Sequence, residues 1–278
     1  MKMKQPIPYP KLNNHNIIHS IHKNYTNIRT SIISNTQFWI TITAAATLCA
    51  LLQRDQANIS TKIFMSSASI ILTSIIGWYA HLISHSIDFA HIYQHIIQNS
   101  PIIHSIITNI PPIDSILITI ANTLDFHHKI HHDSSVNKKT ENLIIEFIQN
   151  AITQGIGLAI IFNGISINTG RGTPNAYFNG AAMTMYGLLY ASAHIINYNL
   201  FTSVCHEHHH KQGHECSNLG IDILDIAFDN KYDPTCIEDI NHYSINISAI
   251  CIGLYLIHKY TSTDSVISTF LFGTSHNT

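Results

Sequence analysis

Charged side chains are scarce in this chain. Only 11% of its 278 residues are Asp, Glu, Lys or Arg, under half the roughly 25% of an ordinary soluble domain, so the solvated surface of a soluble protein of this length is missing. The 14 Lys and Arg stand against 16 Asp and Glu, a formal charge of −2. That balance argues against a nucleic-acid partner, because phosphate binding draws on a clustered surplus of basic residues. Five cysteines without a CxxC pair give neither a disulfide framework nor zinc-ribbon spacing. Dinucleotide fingerprints, Gly-rich phosphate loops and Ser/His/Asp triad signals are absent as well. Hydrophobic residues make up 45%, too many for a disordered chain. Histidine is abundant instead: its 21 residues outnumber all the carboxylates.

Apolar runs at about 38–52, 63–82, 143–162 and 177–201 approach the roughly 20 residues that cross a bilayer as a helix. They predict an all-α integral membrane bundle of about four spanning helices with a histidine-rich cap. A further run at 102–120 is broken by Pro111-Pro112 and Asp114, which predicts a re-entrant or interface-lying pair of short helices. The run at 245–256 is too short to span comfortably. Three regions follow: a polar, basic segment at 1–36, a membrane domain at 37–242, and a C-terminal helix and tail at 243–278. Lys2, Lys4, Lys11, Lys23 and Arg29, with no acidic residue among the first 36, place the N-terminus on the cytoplasmic side. Counting helices from there puts the histidine groups on that same side.

Those groups have helical spacing. His81 and His85 are four apart, one turn along one face. If that helix continues, Asp88, His91 and His95 extend the stripe within roughly a 120° arc. His128-x-x-His131-His132, preceded by His127, and His206-x-x-His209-His210 repeat one pattern. A random chain of this composition yields roughly 0.1 matches to HxxHH, so two copies are informative. Neutral imidazole suits iron, zinc, copper and nickel. One structural zinc saturates with four ligands, whereas two metals with open positions use eight or so. On iron, an open position allows O₂ to be activated against unactivated C–H bonds, the kind lipids carry.

HxxxH, HxxHH and HxxHH in this order, within a predicted four-helix membrane protein, resemble the fatty acid hydroxylase/sterol desaturase superfamily. The segment Asn218-Leu-Gly220, Asp225 and Phe228 is similar to the stretch that follows the last box there, and His194 stands where that family carries a histidine on the preceding helix. The resemblance covers about residues 75–232. It implies a non-haem di-iron oxidase with His81, His85, His128, His131, His132, His194, His206, His209 and His210 as metal ligands. It also implies an O₂-dependent hydroxylation or desaturation of a fatty acyl chain or sterol, with electrons from a separate b-type cytochrome or reductase. The expected location is the endoplasmic reticulum or an equivalent endomembrane. The long gap between the first two boxes (128−81=47) is closer to the acyl-chain and ether-lipid desaturases, which stand as the alternative. A non-enzymatic metal-binding membrane protein is the second alternative.

Asp88, His91, His95, His127, Asp225 and His242 are further candidates as ligands or as partners that orient ligand imidazoles. Asp125, Asp133, Glu141 and Glu207, beside the boxes, are candidates for the orienting role only. Cys205 and Cys216 flank the third box without a standard zinc spacing.

Overall fold

The computed structural model describes residues 17–109, 111–125, 139–168, 178–201, 203–212, 219–263 and 265–273, and no strand occurs among them. The N-terminal segment forms α1 (Ile17–Lys23) and α2 (Tyr25–Ser34), and α3 (Thr36–Leu52) turns from α2 by 77°. α4 (Ile59–Ser86) starts on Asn58, whose side chain accepts from Thr61 N at 2.9 Å. Asp88 and Ser100 cap α5 (Phe89–Asn99) and α6 (Pro101–Thr108) in the same way. Pro101 takes the first helical turn of α6, where the missing N–H has no intrahelical partner to lose. α7 (Pro111–Leu124) completes the pair of short helices expected around the Pro-Pro break. α8 (Thr140–Ala151) passes through a π-helical turn, Ile152–Ile156, into α9 (Gly157–Asn168). α10 (Gly180–Ser192) likewise passes through Ala193–Asn197 into α11 (Tyr198–Leu200). The short α12 (Val204–Gln212) and α13 (Asp222–Ala227) precede α14 (Tyr243–Tyr260) and α15 (Val266–Phe272).

α10 is the axis, buried along nearly its whole length, with α3, α4, α8 and α14 packed around it. Two devices hold it there. At its start, the Asn179 Oδ1 accepts from Ala182 N and Gln53 Nε2, while its Nδ2 donates to Cys49 O and Ser66 Oγ and its backbone N–H donates to Ser69 Oγ, all at 2.6–3.1 Å. One side chain thus joins α3, α4 and α10, and its polar atoms are satisfied where water is excluded. Midway, Gly187 meets Gly155 of the first π turn. A Cβ at 187 would stand 2.6 Å from Ala151 O, and one at 155 would stand 2.3 Å from Met183 O. Only glycine allows the two backbones to approach so closely, the small-residue packing that joins helices in a bilayer. The N-terminal and C-terminal segments belong to the same body. Asn24 donates to Ile226 O, Lys23 pairs with Asp229, and Leu271 and Phe272 share a core with Phe38, Ile247 and Met185.

Among the described residues two helices, Ile59–His85 and Thr140–Phe162, are long and apolar enough to cross a membrane, and a third span exists if α2 and the bent α3 count as one. Of the fourth apolar run, expected at 177–201, residues 180–200 are helical but are not among these candidates. Its polar residues, including Thr184, Tyr190, His194 and Asn197, face protein, so this central helix does not need the continuous apolar exterior of a lipid-facing one. Exposed Ile40, Phe64, Ile71, Ile148, Ile160 and Ile252 supply apolar surface on the helices around it.

Gly187→Ala is expected to lower stability by about 1–3 kcal/mol, because the new methyl overpacks against backbone. Gly253→Ala, whose Cβ meets nothing within 4 Å, is the control and gains about 0.5–1 kcal/mol. Thermal unfolding of the detergent-solubilised protein, followed by circular dichroism, measures both.

Candidate metal centre

The C-terminal end of α4, the end of the α10 helix and α12 meet at one place, so the first and third histidine boxes come together. Ligand atoms of His81, His85 and His209 all lie within 4.8 Å of one another. Their rings are 4.9, 5.3 and 4.8 Å apart by centroid. A second neighbourhood adjoins it: His194 lies 5.0 Å from His206, and His206 lies 4.5 Å from His210. The neighbourhoods are linked by His81 to His194 and His206 to His209, each at 6.4 Å. Helical periodicity explains the selection in α12. Residues 206, 209 and 210 share one face, whereas His208 points elsewhere and stacks on Tyr232 at 4.0 Å.

The ring orientation of His81 is fixed by the chain beyond the third box. Its Nδ1 lies 3.1 Å from Leu219 O and 2.8 Å from the Tyr190 hydroxyl. A carbonyl can only accept, so the proton sits on Nδ1 and the lone pair on Nε2, the tautomer a metal needs. Leu219 is placed by Asp225, whose Oδ1 accepts from Leu219 N at 3.4 Å and from Trp78 Nε1 at 2.8 Å. Asp225 therefore acts through Leu219 on His81, the indirect role a carboxylate plays around metal ligands. His206 stacks on Tyr198 at 4.1 Å. Burial, and then the imidazoles of His194 and His210, hold it well below the ordinary imidazole range, so it is neutral, as a ligand must be.

One residue escaped the reading of the sequence. Glu146, on α8, is buried and lies 3.3 Å from His194 Nε2. An acidic residue inside a membrane-crossing helix is expensive and points to function. The signal was its place in the apolar run 143–162, four and eight residues ahead of the buried Asn150 and Gln154 on the same helical face.

Other candidates fall differently. The stripe from His81 to His95 does not exist as one helical face. α4 ends at Ser86, Ile87 is extended, and α5 restarts on Asp88, whose carboxylate accepts from His91 N at 2.8 Å. The break is held from the other side by Asp125, which accepts from Phe89 N and Ala90 N at 2.7 and 2.9 Å. His91 and His95 are consequently exposed on α5. His242 packs against Phe201 at 4.5 Å and edge-on to Tyr243 at 4.8 Å. His127, His128, His131, His132, Asp133 and Cys216 lie outside the described residues. The segment containing the second box is flanked by Asp125, anchored to α5, and by Lys139, which precedes α8 and Glu146.

Cys205, Asp222 and Glu238 also bring ligand atoms within 4.8 Å. Lys231 already supplies a cation there, pairing with Asp222 while Ser31 donates to the same carboxylate. Burial pushes the Cys205 thiol up to about 12, which keeps it protonated and a poor metal ligand.

Asp225→Ala is expected to weaken metal binding about 10- to 100-fold by releasing Leu219 and with it the His81 ring. Cobalt(II) titration of the metal-stripped protein, read by its visible absorption, measures the loss, and unchanged affinity would remove Asp225 from the support of the site. No family model, no curated protein and no solved structure matches the chain.

Proposed function

We propose that this chain is a membrane-bound non-haem di-iron oxidase that uses O₂ and electrons from a separate donor to hydroxylate or desaturate a lipid. The observation that carries the reading is the convergence on one point of His81 and His85 with His209, which stands more than a hundred residues later in the sequence (209−85=124). The adjoining group of His194, His206 and His210 supports two metal ions rather than one, since a single structural zinc is saturated by four ligands. The donor set fits iron: imidazoles predominate, and Glu146 adds one buried carboxyl group beside His194. In this reading His128, His131 and His132 complete the set.

Iron bound there supplies the activation of O₂ that removal of hydrogen from an unactivated C–H bond requires. The residues of the chain do the rest. Leu219 and Tyr190 hold the His81 proton on Nδ1, and Glu146 orients His194. Tyr198 and Tyr243, their hydroxyls 3.0 Å apart, stand behind His194 and His206 and limit water, which would quench a strong oxidant. In hydroxylation one oxygen atom enters the C–H bond and the other leaves as water, with a pair of electrons from the donor. In desaturation both oxygen atoms leave as water. The donor is a small b-type cytochrome or a reductase in the same membrane, and the histidine cluster faces the cytoplasm, where such donors work.

The full chain, purified in detergent, should hold about two irons and, given reductant, O₂ and a lipid extract, should yield lipid with added oxygen or a new double bond. Elemental analysis and mass spectrometry read the two outcomes. His209→Ala and His128→Ala should each cut iron to about one or none, and His95→Ala, on the exposed face of α5, should leave it unchanged. One zinc per chain without oxidised lipid, or no metal at all, would refute the proposal.

A further inference from the structure

Beside the metal centre, between α4 and α8, lies a cavity of about 220 Å³. His81 and Tyr190 of the centre form part of its wall, and Asn150, Gln154, Ile83 and Phe89 contribute to the rest. Asn150 is 6% exposed, and its Nδ2 has no hydrogen-bond partner. A buried amide donor without an acceptor costs about 1–3 kcal/mol, and inside a membrane-crossing helix lipid cannot relieve it. An orphan donor in the wall of a cavity that reaches a catalytic metal ligand is a place for a ligand's oxygen.

The size and surroundings say which part of a ligand enters. Sites for whole drug-sized ligands occupy roughly 300–1,000 Å³, so this cavity takes one segment of a lipid and leaves the remainder outside. Ile83 belongs to the cavity wall and is 44% exposed, and Ile148 and Ile152, which flank the cavity residues Gln149 and Thr153 in sequence, are also exposed. These side chains give an alkyl chain an apolar path from the cavity to the surrounding bilayer. The π turn that begins at Ile152 sits at the same place, as π turns often do beside functional sites.

We propose that this cavity binds the oxygen-bearing segment of the substrate, a hydroxyl, ether or carbonyl oxygen accepting from Asn150, so that the carbon oxidised lies close to that oxygen rather than at the far end of the chain. This rests on the oxidase reading above and names its substrate class: a lipid with an acceptor oxygen near the reacting carbon.

Binding of radiolabelled hexadecan-1-ol and hexadecane to the full chain in detergent tests it. The wild type should hold the alkanol about tenfold more tightly than the alkane, the span of one good hydrogen bond. Asn150→Leu should weaken the alkanol about tenfold and leave the alkane unchanged. Should that variant fail to fold, Asn150→Asp keeps the shape while replacing the amide donor by an acceptor, and should remove the tighter binding that the wild type shows for methyl hexadecyl ether, which can only accept, over the alkane. Equal affinity for alkanol and alkane in the wild type, alkanol binding insensitive to a folded Asn150→Leu, or ether binding insensitive to a folded Asn150→Asp, overturns the inference. Iron content separates the two readings. A protein without iron that keeps the Asn150-dependent alkanol preference defeats the oxidase reading alone. An iron protein that oxidises lipid without that preference defeats this inference alone.

Discussion

The backbone contact of Gly155 with Gly187 is the constraint on which the site depends. It sets the distance between α8 and α10 to the point where an added Cβ on either side would collide with main chain. α10 and the π turn that continues it carry Tyr190 and His194; α8 carries Glu146 and Asn150. Across that interface Glu146 approaches the His194 Nε2 to 3.3 Å. Widening that gap by one methyl layer would part the carboxylate from the imidazole, two groups buried where water does not reach them. The Asn179 network at the start of α10 prevents the helix from escaping the contact by sliding along its axis.

Two buried polar groups in this protein illustrate different solutions to one problem. Around Asp222, the chain neutralises its own carboxylate with Lys231 and adds Ser31 as a donor, so that α2, α13 and the following loop are tied together. That arrangement is complete within the protein and reads as architecture. The histidine cluster is built otherwise. Its members are imidazoles brought together at one point, with Leu219, Trp78 and Asp225 orienting one ring. Fixing an imidazole so closely costs conformational freedom, which accords with the metal-binding reading proposed above.

The boxes were legible in the sequence because helical periodicity is local: spacing of three and four selects one face, and in α12 it correctly separated His206, His209 and His210 from His208. Counting four crossings raises the expectation that the boxes meet; the convergence of α4 with α12 itself is what the structure adds. The stripe beyond His85 misled because periodicity assumes a continuous helix. A capping Asp88, which the same sequence also displays, ends the period at Ser86. In the run at 177–201 hydropathy does not show which residues face protein: Thr184, His194 and Asn197 are buried, while Ile196, Leu200 and Phe201 near its end are exposed. Glu146 was passed over because it stands alone among isoleucines, and the meaning of a lone carboxylate lies in a partner, His194, that is 48 residues away (194−146=48).

Polar residues inside the span Thr140–Phe162 bear on whether metal or lipid is the cargo. A metal transporter needs a polar route through the bilayer, and Glu146, Asn150 and Gln154 could be taken for its first steps. The row stops there. Gln154 closes against Gly77 so tightly that a Cβ at 77 would lie 2.0 Å from its Oε1, and the next residue, Gly155, is in backbone contact with Gly187. Beyond it the helix runs on through apolar 158–162, with Ala159 buried and Ile160 and Ile161 exposed to the surroundings. Among the described residues of this helix the polar row opens beside the histidines and ends against close-packed glycines, which accords with the oxidase reading proposed above better than with a polar route along the helix.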